Sequence, residues 1–404
     1  MKKTVIIGGG PAGMLAASTA AARGVKVVLA EKNGRLGKKL YITGKGRCNL
    51  TNDSDPEVHI QNAASNPSFL YSALYAFGSD RTMSMFEEMG VKLKVERGGR
   101  VFPASDKSSD IVSAMERLVR KSGAEVLLGL KALRLLSSSG RISGVRTSAG
   151  LIKADSVIIA AGGMAYPLTG SNGDGYKLAR QAGHEMAEPY PALAPLCVKE
   201  AWVGDLEGLS LKNAAIAITS GGRKVYSDFG EMLFTDRGVS GPIILSASCF
   251  IHGVANPSLA IDLKPALDEL ELDKRIVRDF SSFSNRNYSN SLEMLLPRKM
   301  IPVIIELSGI DPLKKVHEIT VKERRRLVRL LKGLELNVIG TGGFNESIIT
   351  GGGVKVEGIN PSTMESKIVQ GLYFAGEVID VNSLTGGYNL QVAFSTGYLA
   401  GMNC

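Results

Sequence analysis

The chain is poor in the groups that cross-link a protein or bind a metal to it. Its four cysteines, Cys48, Cys197, Cys249 and Cys404, stand far apart and form no CxxC or zinc-ligand spacing. That excludes a disulfide framework and fits reduced thiols, hence a cytoplasmic location. The four histidines, His59, His184, His252 and His317, are scattered with no carboxylate or thiol at a metal-ligand spacing, so no metal is expected. No apolar run approaches the ~18 residues that span a bilayer, so no membrane partner is expected. No repeat, low-complexity tract or long block of one charge sign is present. The first 22 residues imitate a secretory leader, with Lys2 and Lys3 ahead of an alanine-rich stretch. Gly8, Gly9, Gly10 and Pro11 would break a leader helix where it must be continuous.

What is present is a soluble globular composition, 44% hydrophobic and 22% charged. At 404 residues the chain exceeds what one core usually supports, and a prior of ~150 residues per domain predicts two or three domains, one of them discontinuous. The net charge of +9 favours anionic partners. The positive charges are spread along the chain, and the densest cluster, Lys322 to Arg326 with Arg329 and Lys332, fits a solvated helix face. Neither aromatic interleaving nor a recognised module accompanies it, so no dedicated nucleic-acid binding is expected. A basic cleft for an anionic cofactor or substrate is favoured.

Val5 to Ile7 reads as a short buried strand, Ala12 to Arg23 as an alanine-rich helix and Val25 to Ala30 as a second buried strand, which together make a βαβ unit. Ser108 to Ser122 reads as a helix, Ala124 to Leu128 as a strand, and the alternating segments through Gly150 as a small antiparallel meander. Val157 to Ala161 and Leu372 to Ala375 are further buried strands. Five such runs suit a parallel sheet covered on both faces, recruited from both ends of the chain. Pro189 to Pro195 reads as an exit from this domain. Residues 196 to 262 alternate in a β manner, 263 to 332 are helical in pattern, and the glycines at 340 to 343 and 351 to 353 mark a return to β structure.

Gly8-Gly9-Gly10-Pro11-Ala12-Gly13 satisfies G-x-G-x-x-G between a strand and a helix, the context the motif requires. Gly8 permits the turn, Gly10 lets backbone approach a pyrophosphate, and Gly13 allows close helix packing. The helix N-terminus supplies N–H donors and positive potential. Glu31, 23 residues after Gly8, ends the second strand where a ribose diol would sit. These residues make a dinucleotide site without separating FAD from NAD.

Near the other end, a buried strand leads to Gly376, Glu377 and Asp380, and Gly386-Gly387-Tyr388-Asn389-Leu390-Gln391 opens a second helix. Its N-terminus suits the negative charge that a reduced flavin carries on its pyrimidine side, which a nicotinamide dehydrogenase would not need. The sequence here resembles the BaiN-like, aminoacetone-oxidase-like family of bacterial flavoproteins, part of the glutathione-reductase-type FAD fold. The resemblance rests on KLYITGKGRCNLTN (Lys39 to Asn52), GRVFP (Gly99 to Pro103), GGMAYPLTGSNGDGY (Gly162 to Tyr176), GEMLFTDRGVSGP (Gly230 to Pro242), TGGGV (Thr350 to Val354), TMESK (Thr363 to Lys367) and Gly371 to Gln391.

The resemblance implies an α/β protein. A Rossmann-like FAD-binding domain with parallel sheet and meander spans 1–191 and 358–404. A β-barrel-like domain inserted in it spans 192–262 and 333–357, and a small helical domain spans 263–332. It implies flavin contacts at Gly8, Gly10, Ala12, Gly13, Glu31, Lys32, Arg47, Cys48, Asn49, Ala161, Gly162, Gly376, Asp380, Gly387, Asn389 and Leu390. Pro11, Lys39, Gly46, Val126, Ala160, Glu377, Gly386, Tyr388 and Ala393 complete the candidate cofactor set. Two positions depart from the family: Asp236, often His there, and Ser383, often Gly.

The basic loop Gly44 to Asn49 offers Arg47 as an anion donor. Cys48 in it has no partner cysteine and is read as packed rather than catalytic. Tyr166, Thr169, Ser171 and Asp174 follow the fourth strand, either shaping the ligand pocket or making an ordinary turn. No general base stands out, although Asp236, Arg237, Tyr388 and Glu377 are candidates to line the substrate region. With a single fingerprint of this type, either NAD(P)H binds in a shallower site or the substrate itself is the electron donor. The expected activity is hydride transfer between flavin N5 and a small organic substrate, by amino-ketone oxidation or NAD(P)H-dependent C=C reduction. The alternative is a flavin-carrying binding protein acting on RNA or a protein partner.

Overall fold

The computed structural model describes residues 2–404. It contains two compact units, one formed by the chain up to Ala192 together with Gly343–Cys404, the other by Leu193–Gly342.

In the first unit five parallel strands lie in the order Leu372–Phe374, Ser156–Ile159, Lys3–Ile7, Lys26–Glu31, Glu125–Leu128. Val5, Ile6, Val157, Ile158, Ile159, Leu372 and Phe374 are fully buried, which is why these runs lack polar alternation: both faces of the sheet are covered. Three antiparallel strands, Ala132–Ser138, Arg141–Thr147 and Gly150–Lys153, form the meander. The proline-rich stretch read as a domain exit contains the boundary between the two units, at Ala192 and Leu193, and its first part is strand: Met186–Ala192 pairs antiparallel with Ile349–Val354. A two-stranded ribbon has only edge strands, so Pro189 and Pro191 can sit where their missing N–H groups are not required. This pairing places 349–354 in the first unit rather than with the barrel.

The second unit holds a closed barrel of Leu196–Val198, Gly238–Ser240, Arg223–Phe234, Ser210–Ser220, Ser258–Asp262 and Leu334–Thr341 in that order. One helix, Pro242–Ser248, interrupts the stretch read as β throughout; proline at its first turn is pre-organised for helix. Helices Glu269–Ser282, Ile301–Ser308 and Val321–Lys332 share one buried cluster with the barrel, joining Leu259 and Ile261 to Leu272, Ile276, Leu327 and Leu331. No helix among the described residues is long and apolar enough to cross a membrane.

Two buried histidines give the first unit a pH dependence. His59 bonds Asn52 O through Nε2, and His184 bonds Ser366 Oγ while its ring meets Phe374 edge-on. Burial lowers both pKa values. The unfolded chain therefore binds protons that the folded chain does not, and stability present above the unfolded pKa of ~6.5 is lost as pH falls below it. Thermal melts from pH 7.5 to 5 should show declining stability, and a His59→Gln/His184→Gln variant should show a flatter decline.

Candidate functional site

The sheet register gathers the ends of four strands into one row. Ile7 is opposite both Ala30 and Ile159, and Ile159 is opposite Phe374. Gly8, Glu31, Ala160 and Ala375, each next in its strand, therefore emerge side by side at the carboxyl edge, where ligands of open α/β sheets bind.

The first helix, Pro11–Ala22, starts there from Gly10. A Cβ on Gly13 would lie 1.9 Å from Gly8 O, so this helix presses its first turn onto the loop. A Cβ on Gly10 would have nothing within 4 Å, so the space before the helix N-terminus is open. Glu31 is buried, with Oε2 accepting Gly9 N–H at 2.6 Å and Oε1 accepting Asn33 N–H at 2.7 Å. It braces the loop that carries the free donors.

The C-terminal helix, Tyr388–Asn403, lies against the first helix at glycines. A Cβ on Gly397 would sit 2.4 Å from Ala12 O, and one on Gly401 2.7 Å from Ala16 O. Gly376 N–H donates to Thr396 Oγ1 at 2.9 Å, tying the strand-end loop to the same helix. Ala12 thus meets Gly397, and the C-terminal helix begins at Tyr388, nine residues and ~14 Å earlier along its axis. That start is fixed by Gln391, fully buried, whose Oε1 accepts Thr51 Oγ1 (2.7 Å) and Thr82 Oγ1 (2.8 Å) and whose Nε2 donates to Phe77 O. Two helix N-termini, each behind a glycine loop, thus belong to one unit, with open space before the first. Gln391 and the Gly397/Gly401 pair were not singled out from sequence, although Gly-x-x-x-Gly was there as a close-packing signal.

The other candidates divide. Ala161, Gly162 and Gly376 line the strand-end loops, Ala160 is buried at their base, and Pro11 and Ala12 form the first turn of the first helix. Gly386 and Gly387 make the turn before the C-terminal helix, and the Tyr388 ring lies over Gly386. Leu390 and Ala393 are in that helix, both facing the core at least in part. Val126 is two residues short of its strand's carboxyl end, opposite Leu29 and partly buried against the core. Asp380 is held by Asn66, whose Nδ2 donates to its carboxylate at 3.1 Å, and burial raises its pKa. Asn49 Oδ1, Asn382 Nδ2 and Ser383 Oγ are buried with no hydrogen-bond partner. Such groups call for a polar ligand or water.

Several charged candidates are occupied within the protein. Arg47, expected as an anion donor, is paired with Glu96 and Asp106 and stacked 4.2 Å from the Phe102 ring centre. Two carboxylates already neutralise it, so it orders the Gly46 loop rather than offering a charge. Lys32 bonds Asp174 at 2.7 Å and Asn172. Lys39 bonds Glu377 at 2.7 Å, and Glu377 accepts Thr350 N–H, while Thr350 Oγ1 accepts Met164 and Ala165 N–H. That network laces the loops after two strands to the TGGGV segment. Asn389 closes its own loop, accepting Ser383 N–H and donating to Ser383 O, so its amide side chain is committed. Ser171 lies beneath Gly162, and Thr169 bonds Tyr166 O in a turn. In the second unit Asp236 and Arg237 are exposed and 3.5 Å apart.

Cys48 is fully buried and burial pushes its thiol up to about 12, so no thiolate is available near neutrality. Alkylation of the native protein at pH 8 should leave Cys48 unmodified, and Cys48→Ala should keep turnover within about 3-fold while costing about 1 kcal/mol of stability.

A βαβ phosphate loop with a bracing acid, packed against a second helix that starts from a glycine turn in the same unit, defines a dinucleotide-binding fold of the oxidoreductase type. The chain belongs to the HI0933-like family: the family described as "HI0933-like protein Rossmann domain" matches residues 2–403. It is similar to the 3-dehydro-bile acid delta(4,6)-reductase of Clostridium scindens, 33% identical over 99% of this chain and 98% of that protein. It is also similar to the ribosomal RNA dihydrouridine synthase of Haemophilus influenzae, 30% identical over 99% and 98%. Among solved structures, the 3-ketosteroid-delta4-(5alpha)-dehydrogenase of Rhodococcus jostii shares the fold with a TM-score of 0.53 at 14% identity, covering 100% of this chain and 96% of that one.

Proposed function

We infer that the protein is an FAD-dependent reductase acting on a C=C bond conjugated to a carbonyl. The observation that carries this reading is the pair of helix starts in one unit, the second lying ~14 Å along its helix from the contact with Ala12, which suits the pyrophosphate and the ring of one extended dinucleotide. The residues fit FAD on two further grounds: the open space before Gly10, and the orphaned acceptor of Asn49 beside the glycine-flexed loop. When bound, FAD supplies hydride transfer at its N5. The first helix's N–H groups, in the turn begun by Pro11 and Ala12, hold the pyrophosphate, with Gly10 keeping the approach clear and Gly8 and Gly13 letting strand, loop and helix close up behind it. Glu31 accepts the ribose hydroxyls while bracing Gly9. Asn49, Asp380 and the backbone of Gly387 to Leu390 face the flavin end, and the C-terminal helix lends positive potential to charge that develops there. The inserted barrel (192–262 and 333–341) and helical segment (263–332) supply the substrate-binding part of the chain.

The names of the two relatives agree on the bond: a steroid 4,6-diene beside a 3-keto group, and the C5=C6 bond of uracil beside its C4 carbonyl. Amino-ketone oxidation finds no such support. The net charge of +9 favours RNA as the bearer of that bond. The test is anaerobic: NADH or NADPH is expected to bleach the bound FAD, and a 3-keto-4,6-diene steroid or a uridine-containing RNA to restore its colour, with product gaining two hydrogens. A bleached protein that neither acceptor reoxidises sinks the conjugated-bond reading. Failure of both nicotinamides to bleach it removes them as donors.

A further inference from the structure

We propose that helix Val321–Lys332 of the second unit carries a phosphate-docking stripe, Lys322, Arg325, Arg326 and Arg329, that grips the backbone of a folded RNA. The proposal rests on the RNA reading above and assigns to it a binding surface apart from the dinucleotide site.

The stripe follows from helix geometry. Positions 322, 325, 326 and 329 have i, i+3, i+4, i+7 spacing, so the four side chains stand on one face and span ~10 Å. Leu327, Val328 and Leu331, on the opposite face, are buried in the core. All four cations are exposed. Among the described residues none of them is in an ion pair, although their helix neighbours are: Arg324 bonds Asp273 at 2.7 Å, and Lys332 bonds Asp262 at 2.5 Å. The helix's one acid, Glu323, is taken by Lys314 and by the capping box with Thr320. Like charges at i+3 and i+4 repel and weaken a helix, so this one keeps an unfavourable arrangement that a bound polyanion would relieve. Residues 263–332 carry 15 lysines and arginines against 10 aspartates and glutamates, which is +5 of the chain's +9.

The chemistry of the face selects the partner. A membrane-surface helix presents apolar residues beside its basic ones. Here the apolar residues are turned into the core, and Val321, 51% exposed at the first turn, is the one large apolar side chain left out on this helix. Three of the four cations are arginines, whose planar forks match phosphate oxygens two at a time.

The test measures binding apart from turnover, by fluorescence anisotropy of a labelled RNA stem-loop on the full chain. The variant Lys322→Gln/Arg325→Gln/Arg326→Gln/Arg329→Gln is compared with an equal-charge control, Lys26→Gln/Lys121→Gln/Lys153→Gln/Arg180→Gln, at exposed sites of the first unit. The stripe variant should bind about 100-fold more weakly at 0.1 M salt, with the slope of log affinity against log salt shallower by about 3, while the control changes little. Its melting temperature should equal or exceed that of the parent, since repulsion has been removed. Equal weakening of both variants would mean diffuse charge and overturn the proposal. So would a stripe variant that keeps its RNA affinity, whether or not it loses binding to phosphatidylserine vesicles. If stripe-dependent RNA binding is found but no RNA is reduced, the docking surface stands and RNA is removed as the reduced substrate.

Discussion

Gly10→Leu should yield a folded protein that no longer holds FAD. A side chain at position 10 enters open space, because an added Cβ has nothing within 4 Å and the residue's φ of −81° is ordinary for any amino acid. No buried contact is lost and no strain is introduced, so the melting temperature of the apoprotein should be unchanged. The same side chain stands where the first helix presents its free N–H groups, and a pyrophosphate must approach that backbone closely. Affinity for FAD should fall by at least about 100-fold, a loss of about 2.7 kcal/mol or more. The effect has a second readout: FAD at 100 times its parent Kd should stabilise the parent by about 2.7 kcal/mol and the variant by no more than about 0.4 kcal/mol. Intact FAD affinity in the variant would place the pyrophosphate elsewhere.

Gly397→Val should do the opposite, damaging the fold and the site together. Its Cβ would sit 2.4 Å from Ala12 O, a backbone atom with no room to turn away. Removing a helical glycine gains about 1 kcal/mol at most in propensity, whereas forcing two packed helices apart costs about 3 kcal/mol or more, so the clash decides the sign. Because the same contact sets where Tyr388 and the helix start lie relative to Ala12, FAD binding should weaken beyond what the loss of stability explains. Urea unfolding and FAD titration of the same sample separate the two effects. A variant as stable as the parent would mean that the two helices are not packed as closely as described.

The parts of the fold that could be read from the chain are those whose cause is local. Uninterrupted apolar runs such as Val157–Ile159 mean strands buried on both faces, and a glycine loop between such a strand and an alanine-rich helix means a phosphate site wherever it occurs. The parts that could not be read depend on partners distant in sequence. Arg47 looked like a free anion donor because Glu96 and Asp106 lie 49 and 59 residues away, in segments that carry no motif. Asn389 looked like a ligand donor because its carbonyl partners, Ser383 and Leu384, are reached by a tight loop that no periodicity announces. Pro189 and Pro191 marked the exit from the first unit but hid the strand that leads to it, because proline usually ends a strand, and its tolerance here comes from the two-stranded ribbon with Ile349–Val354. Lys322 and its neighbours show the converse. Their spacing was visible in the sequence, but that Arg324 and Lys332 are neutralised while the other four cations are not required the positions of Asp273 and Asp262.

Titration of the purified full chain with FAD, followed by gel filtration and an absorbance spectrum, puts the most weight on the central claim. The expected result is a yellow protein carrying one FAD per chain, with the ratio unchanged when FAD is supplied in large excess. A folded but colourless protein that emerges from the same excess without bound flavin would show that the two helix starts do not form a flavin site.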